Sequence, residues 1–214
     1  LADRGLDSSA AALRRLRNEA EFVFVRQHEQ LGLGHAVAVT RNAVGDEPFA
    51  VLLPDDIVVS AQPAIGQLVD VANEREASVV AVEAVPAERV SAYGVIDPEP
   101  VSGRVYRVRA VVEKPPLEEA PSDLAIVGRY VLTPDVFGAL GRLTPGAKGE
   151  LQLTDAIAML IEASGVYGCR FQGDRYDAGN PLGLVQTSVA MALARDDIGP
   201  GLREWLSARL ADAG

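Results

Sequence analysis

Apolar, β-rich runs alternate along this chain with stretches of helical period, and no other feature restricts the fold as strongly. Glu21-Phe22-Val23-Phe24-Val25, Phe49 to Leu53 and Ser78 to Val82 read as strands. Gly34 to Val44 and Pro63 to Glu76 read as helices, the second with Ile65, Leu68, Val69 and Ala72 on one face. Unbroken apolar strands between helices predict an α/β fold whose sheet is largely parallel and covered on both sides. From Tyr93 onward the pattern changes. Tyr93 to Ile96, Val105 to Val112 and Ala125 to Leu132 follow one another with Pro, Gly and Glu between them, which predicts a more antiparallel layer. Helices return at Pro134 to Leu143, Leu153 to Ala163, Leu182 to Ala194 and Leu202 to Leu210, with a short strand at Gly168 to Phe171. Trp205, Leu206 and Leu210 form a stripe expected to pack on the core, with a second subunit of a homo-oligomer as the alternative.

Composition narrows the function. A chain of 214 residues, 48% hydrophobic and without internal repeats, is long enough to bury roughly 70% of its unfolded surface. Its formal net charge of -10 argues against nucleic acid or an anionic membrane as partner, since both need a basic footprint. Any polyanionic ligand must then be met by a few placed cations or by a metal. Cys169 is the only cysteine, so no intramolecular disulfide forms; a reducing cytoplasm is the expected location, and a small buried hydrophobe the expected role.

Polar clusters interrupt these elements where ligands bind. The run Phe49 to Leu53 stops at Pro54-Asp55-Asp56. Carboxylates at the end of a buried strand fit a Mg²⁺ carrying phosphate, although Pro-Asp-Asp is equally good turn chemistry. Arg175-Tyr176-Asp177-Ala178-Gly179 repeats that logic. Gly32-Leu33-Gly34-His35 lies between strand and helix, where glycines let backbone amides approach a ligand, and Gln27 could read a base edge. Glu113-Lys114-Pro115 ends a strand; a lysine held extended before proline is a good point charge for phosphate, and an exposed ion pair is the plainer reading. Thr154 or Asp155, after Glu150, is expected to cap the helix that follows.

Together these strings resemble the bacterial UTP-glucose-1-phosphate uridylyltransferases, also called UDP-glucose pyrophosphorylases. The carriers are Arg26-Gln27 with Leu31 to Ala36, Leu53-Pro54-Asp55-Asp56, Tyr93-Gly94-Val95-Ile96, Val112-Glu113-Lys114-Pro115, Val127-Gly128-Arg129-Tyr130, Gly149 through Ala156, and Tyr176-Asp177-Ala178-Gly179. The resemblance implies a Rossmann-like, three-layer nucleotidyltransferase fold with a mixed, mainly parallel sheet and a small antiparallel sugar-binding layer. It implies one domain with a nucleotide-binding part (1–92), a sugar-phosphate part (93–180) and C-terminal helices (181–214). The implied reaction makes UDP-glucose and pyrophosphate from UTP and glucose-1-phosphate. Gln27 and Gly32 would bind the uracil, Asp55 and Asp177 would hold Mg²⁺, Gly94, Glu113 and Glu150 would contact glucose, and Lys114 would grip the sugar phosphate.

Two departures stand out. The family opens on a strand and a Gly-rich triphosphate loop, and neither Arg4-Gly5 nor Arg14-Arg15 has that context. The missing strand lies mid-sheet in the family, so its neighbours are expected to be left unpaired, and the sequence, which begins at Leu1, is expected to be incomplete there. Without that loop, poor nucleotide binding and no transfer are expected. Asn180-Pro181 also replaces the lysine that relatives usually carry. A thymidylyl- or adenylyltransferase, or an inactive binding module, are the competing readings, and oligomeric state is left open.

Overall fold

A computed structural model describes residues 7–146 and 149–212. Its helices are α1 (Asp7–Glu19), α2 (Gly32–Ala38), α3 (Arg41–Val44), α4 (Ala64–Arg75), α5 (Asp135–Leu140), α6 (Leu153–Ala163), α7 (Pro181–Leu193) and α8 (Gly199–Asp212). Its strands are β1 (Phe49–Leu52), β2 (Asp56–Val59), β3 (Ser78–Ala84), β4 (Gly94–Ser102), β5 (Val105–Glu113), β6 (Leu124–Leu132), β7 (Val166–Arg170) and β8 (Asp174–Asp177). Six strands form the main sheet in the order β1-β6-β3-β7-β5-β4, and β2 with β8 form a separate two-stranded ribbon.

Three layers follow from the period-2 alternation of the central strands. In β3, Val79 and Ala81 point to one face, where they pack with Val127 and Val131 against Leu68 and Val71 of α4. Val80 and Val82 point to the other, where Ile126, Tyr130 and Leu132 join them against Phe137 of α5 and Ile157 and Leu160 of α6. Leu68, Val79, Val80, Leu132 and Ile157 are sealed from solvent, each contributing about 1.5–3 kcal/mol of burial. Cys169 is a buried member of the α4 side, as expected.

The sheet is mixed, but antiparallel pairing dominates it. Only β3 with β7 is parallel among the described strands; β1–β6, β3–β6, β4–β5, β4–β6 and β5–β7 are antiparallel. The apolar strands that suggested a parallel sheet are apolar because helices cover both faces, and burial does not encode direction. Residues 20–27 form no strand, and Phe24 is 94% exposed. A strand exists only with a hydrogen-bonded neighbour, and among the described residues this segment has none. The next strand in sequence, β1, pairs on one side only, with β6.

Smaller corrections have local causes. The helix expected over Gly34 to Val44 is two helices, α2 and α3, with Val39 and Thr40 between them. Trp205 is 55% exposed instead of core: α8 packs on α7, and Arg209 stacks over the indole ring. Arg4-Gly5 lies outside the described residues, while Arg14 and Arg15 stand on α1, where Arg15 pairs with Glu19. No helix among the described residues is long and apolar enough to cross a membrane.

Candidate active site

The end of β1 is pinned before it turns. Leu53 N–H donates to the Gly128 carbonyl of β6 at 2.9 Å, Pro54 turns the chain, and Asp56 opens β2. The β2–β8 ribbon is antiparallel with Asp56 opposite Asp177, and Ala178 N–H donates to the Asp55 carbonyl at 2.7 Å. Two aspartates more than a hundred residues apart in sequence thus reach the same ribbon end. A Cβ on Gly179 would lie 2.9 Å from Asp55 Oδ2 and 3.2 Å from Asp177 Oδ1, so both carboxylates face one spot that only glycine leaves open.

The adjacent aspartates behave differently. Asp55 is exposed, whereas Asp56 is 7% exposed, accepting from Gly128 N–H at 2.6 Å and from Arg175 Nε at 2.5 Å, with its carbonyl accepting from Arg129. Both Asp56 oxygens are therefore engaged, and Asp55 is the one left for a ligand. Asp177 Oδ1 accepts from Gly179 N–H at 3.0 Å, and Oδ2 accepts from Arg89 Nη2 at 3.1 Å and Tyr93 Oη at 3.4 Å. Burial opposes the charge on Arg175, but hydrogen bonds to Tyr93 and Asp56 outweigh it and lift the pKa above the ordinary arginine value. Arg129 moves the other way, lowered mainly by burial.

These carboxylates border a cavity of about 390 Å³ whose wall also includes Gly94, Glu113, Lys114, Tyr130, Glu150 and Thr154. Glu113 Oε2 accepts from Thr154 Oγ1 at 2.7 Å, and Glu150 Oε2 accepts from Gln152 Nε2 at 2.8 Å. Gly94 faces Glu113 and Thr154 so closely that a Cβ there would stand 3.1 Å from Glu113 Oε2. Burial, with Asp56, Glu113 and Asp55 nearby, pushes the Tyr130 phenol well above its ordinary value, so it stays a hydrogen-bond donor.

Two expectations fail locally. Thr154 is not a cap: Gln152 occupies the cap position of α6, and the threonine hydroxyl is spent on Glu113. Lys114 is not extended. Its φ is +48°, so the backbone bends just after β5 despite the following proline, while its N–H donates to the Tyr93 carbonyl at 2.9 Å across the strand pair. A positive φ at a non-glycine residue costs of order 1–3 kcal/mol and tends to occur at functional sites. Its ammonium is 3.6 Å from Glu113 Oε1 and mostly exposed.

Gln27 and Gly32 stand apart from this wall. Gln27 Nε2 donates to the Gly32 carbonyl at 3.2 Å and reaches His35 Nδ1 at 3.1 Å, tying the turn before α2 together. Gly32 has φ +87° and backs onto Glu150, whose Cβ a side chain there would meet at 3.0 Å. Asn180 caps α7 by accepting from Gly183 N–H at 2.9 Å, and Pro181 takes the first helical position, which its fixed φ suits. Arg89, Tyr93, Arg175 and Thr154 were not chosen from sequence. The available signal is that Tyr93, Thr154 and Arg175 sit inside the same strings as Gly94, Glu150 and Asp177.

The cavity fits a divalent cation better than a bare phosphate. Its lining carries Asp55, Asp56, Glu113, Glu150 and Asp177 against only Lys114 and Arg175. No cluster of three metal-ligating side chains occurs among the described residues. Mg²⁺ does not require one, since it commonly takes one or two carboxylates and completes its shell with phosphate and water.

A sequence model of the nucleotidyl transferase family matches residues 7–193. The UTP-glucose-1-phosphate uridylyltransferase 2 of Staphylococcus saprophyticus is 50% identical over 187 residues, 87% of this chain and 65% of the relative. That of Bacillus subtilis is 45% identical over 211 residues, 97% of this chain and 72% of the relative. A UDP-glucose pyrophosphorylase complexed with UDP-glucose superposes with a TM-score of 0.83 at 39% identity, covering 88% of this chain and 74% of that one. A UTP-bound UGPase from Acinetobacter baumannii gives 0.81 at 34% identity, covering 96% and 73%. The chain thus spans about two thirds of the length of these relatives. It belongs to the nucleotidyl transferase family, among the UTP-glucose-1-phosphate uridylyltransferases.

Proposed function

We propose that this protein makes UDP-glucose from UTP and glucose-1-phosphate. A phosphate oxygen of the sugar attacks the α-phosphorus of UTP, the bond to the β-phosphate breaks, and pyrophosphate leaves. That oxygen is already deprotonated at neutral pH, so no general base is needed, and alignment with charge neutralisation is the main task. The observation that carries the reading is the convergence of Asp55 and Asp177 on Gly179, at the mouth of a cavity lined by Gly94, Glu113, Lys114 and Glu150.

Mg²⁺ held by Asp55 and Asp177 would neutralise phosphate charge during the transfer. Glu113, fixed by Thr154, and Glu150, fixed by Gln152, accept sugar hydroxyls, while the open face of Gly94 lets the ring approach. Lys114, raised out of the strand by its positive φ, holds the sugar phosphate. Gln27 and Gly32 receive the uracil at the far side of Glu150. The names of the relatives support uridine and glucose over other bases and sugars, and the protein works in the cytoplasm, without membrane or nucleic acid.

The test is pyrophosphate release on mixing the protein with Mg²⁺, UTP and glucose-1-phosphate. It is run on this chain and on the same chain preceded by the Gly-rich loop segment of a relative. Release with UTP well above that with dTTP or ATP is expected from the extended chain. UDP-glucose binding without release from any nucleotide would contradict the proposal.

A further inference from the structure

The two aspartates proposed to hold the cation lie at one end of a ribbon of only two strands. Such a ribbon is marginal alone, and its orientation must come from outside. At its far end the anchor is Gln67 of α4, whose amide donates to the Gln172 carbonyl and accepts from Gln172 N–H. At the carboxylate end the anchor is Arg175. It stands on β8 two residues before Asp177, with its side chain only 5% exposed.

From there the guanidinium reaches three elements. Nε donates to Asp56 of β2 at 2.5 Å, Nη1 donates to Glu83 of β3 at 3.1 Å, and Nη2 faces the Tyr93 hydroxyl at 3.5 Å and Asp177 at 3.8 Å. Its plane also lies over the Tyr93 ring, 5.4 Å from the centroid. Asp56 in turn accepts from Gly128 N–H of β6. Through Arg175 the ribbon is tied to β3 and to the residue just before β4, and through Asp56 to β6.

We infer that Arg175 is a positioning residue: its fork to Asp56 and Glu83, with Tyr93 beneath it, holds Asp55 and Asp177 at cation-binding separation before any cation arrives. The inference rests on the reading of Asp55 and Asp177 as cation ligands. Arg175 itself is not a ligand. Its positive charge near Asp177 works against a cation there, so any help it gives to binding comes through geometry. Lysine keeps the charge and loses the planar fork, so Arg175→Lys separates geometry from field.

Mn²⁺ is the probe. Its binding is followed by electron paramagnetic resonance of the free ion, with thermal melting of each variant alongside. Asp55→Asn tests the underlying reading; if it leaves Mn²⁺ binding unchanged, that reading fails. If Asp55→Asn removes binding, Arg175→Lys is expected to weaken it by about tenfold or more, as loss of a supporting contact does at metal sites. Folded Arg175→Lys protein that binds Mn²⁺ within twofold of the parent overturns the positioning role. Should Arg175→Lys not fold, Tyr93→Phe decides. It removes the hydroxyl that accepts from Arg89 at 2.6 Å and faces Arg175 and Asp177, and it keeps the ring beneath the guanidinium; a threefold or greater loss of Mn²⁺ affinity supports the inference, and parental affinity overturns it.

Discussion

Replacing Gly128 with alanine tests whether the turn after β1 is as tightly keyed to β6 as the structure has it. The added Cβ would stand 2.6 Å from Asp56 Oδ2 and 2.7 and 2.9 Å from Cβ and Cγ of Leu53. None of these atoms is free to retreat. Asp56 is held by Arg175 and by the Gly128 amide itself, and the Leu53 backbone by its N–H, which donates to the Gly128 carbonyl. Overpacking of this kind costs about 1–3 kcal/mol, and loosening a buried hydrogen bond to a charged group costs about 1.5–3 kcal/mol more. A combined loss of about 2.5–6 kcal/mol corresponds to a fall in Tm of at least about 5 °C for a domain of this size. Calorimetry or circular dichroism reads it directly. Gly66→Ala is the control: only the Gln62 side chain, at 3.9 Å, is near its Cβ, and alanine in a helix should gain about 0.5–1 kcal/mol. A Gly128→Ala protein melting within about 2 °C of the parent would show that this turn yields to an added methyl and is not keyed to β6.

Other outcomes follow from the same contacts. Thr154→Val removes the donor to Glu113, so the KM for glucose-1-phosphate should rise more than kcat falls in steady-state kinetics. Asn180→Ala should cost about 1 kcal/mol in denaturant unfolding through loss of the α7 cap. Burial raises the Cys169 thiol above its ordinary 9.0 and the Tyr130 phenol above its ordinary 10.0. Above those values the unfolded chain releases protons that the folded chain retains, so stability falls as pH rises beyond about 9 and is untouched by these groups below it. Thermal melts across pH 7 to 11 should show that decline, and Tyr130→Phe should lessen its upper part.

Much of the fold was legible because burial leaves a periodic mark. α6 runs from Leu153 to Ala163 as the spacing of Ile157, Leu160 and Ile161 indicates, and β6 matches its apolar run to within one residue. Strand direction left no such mark, since a strand covered on both faces looks the same whichever way its neighbours run. The ribbon of β2 and β8 was missed for a related reason: four residues such as Asp174–Asp177 are too short and polar to show alternation. The site divided the same way. Asp55 and Asp177 stood out as carboxylates at the ends of apolar runs, whereas Arg175 became visible only once Asp56, Glu83 and Tyr93 had gathered around it. Nothing local in Glu113-Lys114-Pro115 announces the positive φ at Lys114, since a residue before proline is ordinarily extended.

In the proposed reaction Asp55 serves chemistry while its neighbour Asp56, with both oxygens engaged, serves structure. Both are changed singly to asparagine in the chain carrying the family's Gly-rich loop, and pyrophosphate release with Mg²⁺, UTP and glucose-1-phosphate is measured beside the melting temperature. Asp55→Asn should lose turnover by about a hundredfold or more, as removal of an electrostatic contribution to phosphoryl transfer does, with its melting unchanged. Asp56→Asn should destabilise by about 1.5–3 kcal/mol, because it weakens the charge-assisted hydrogen bonds from Gly128 N–H and Arg175 Nε, while Glu83 still pairs with Arg175. Undiminished turnover in Asp55→Asn, or equal destabilisation by the two changes, would contradict the account.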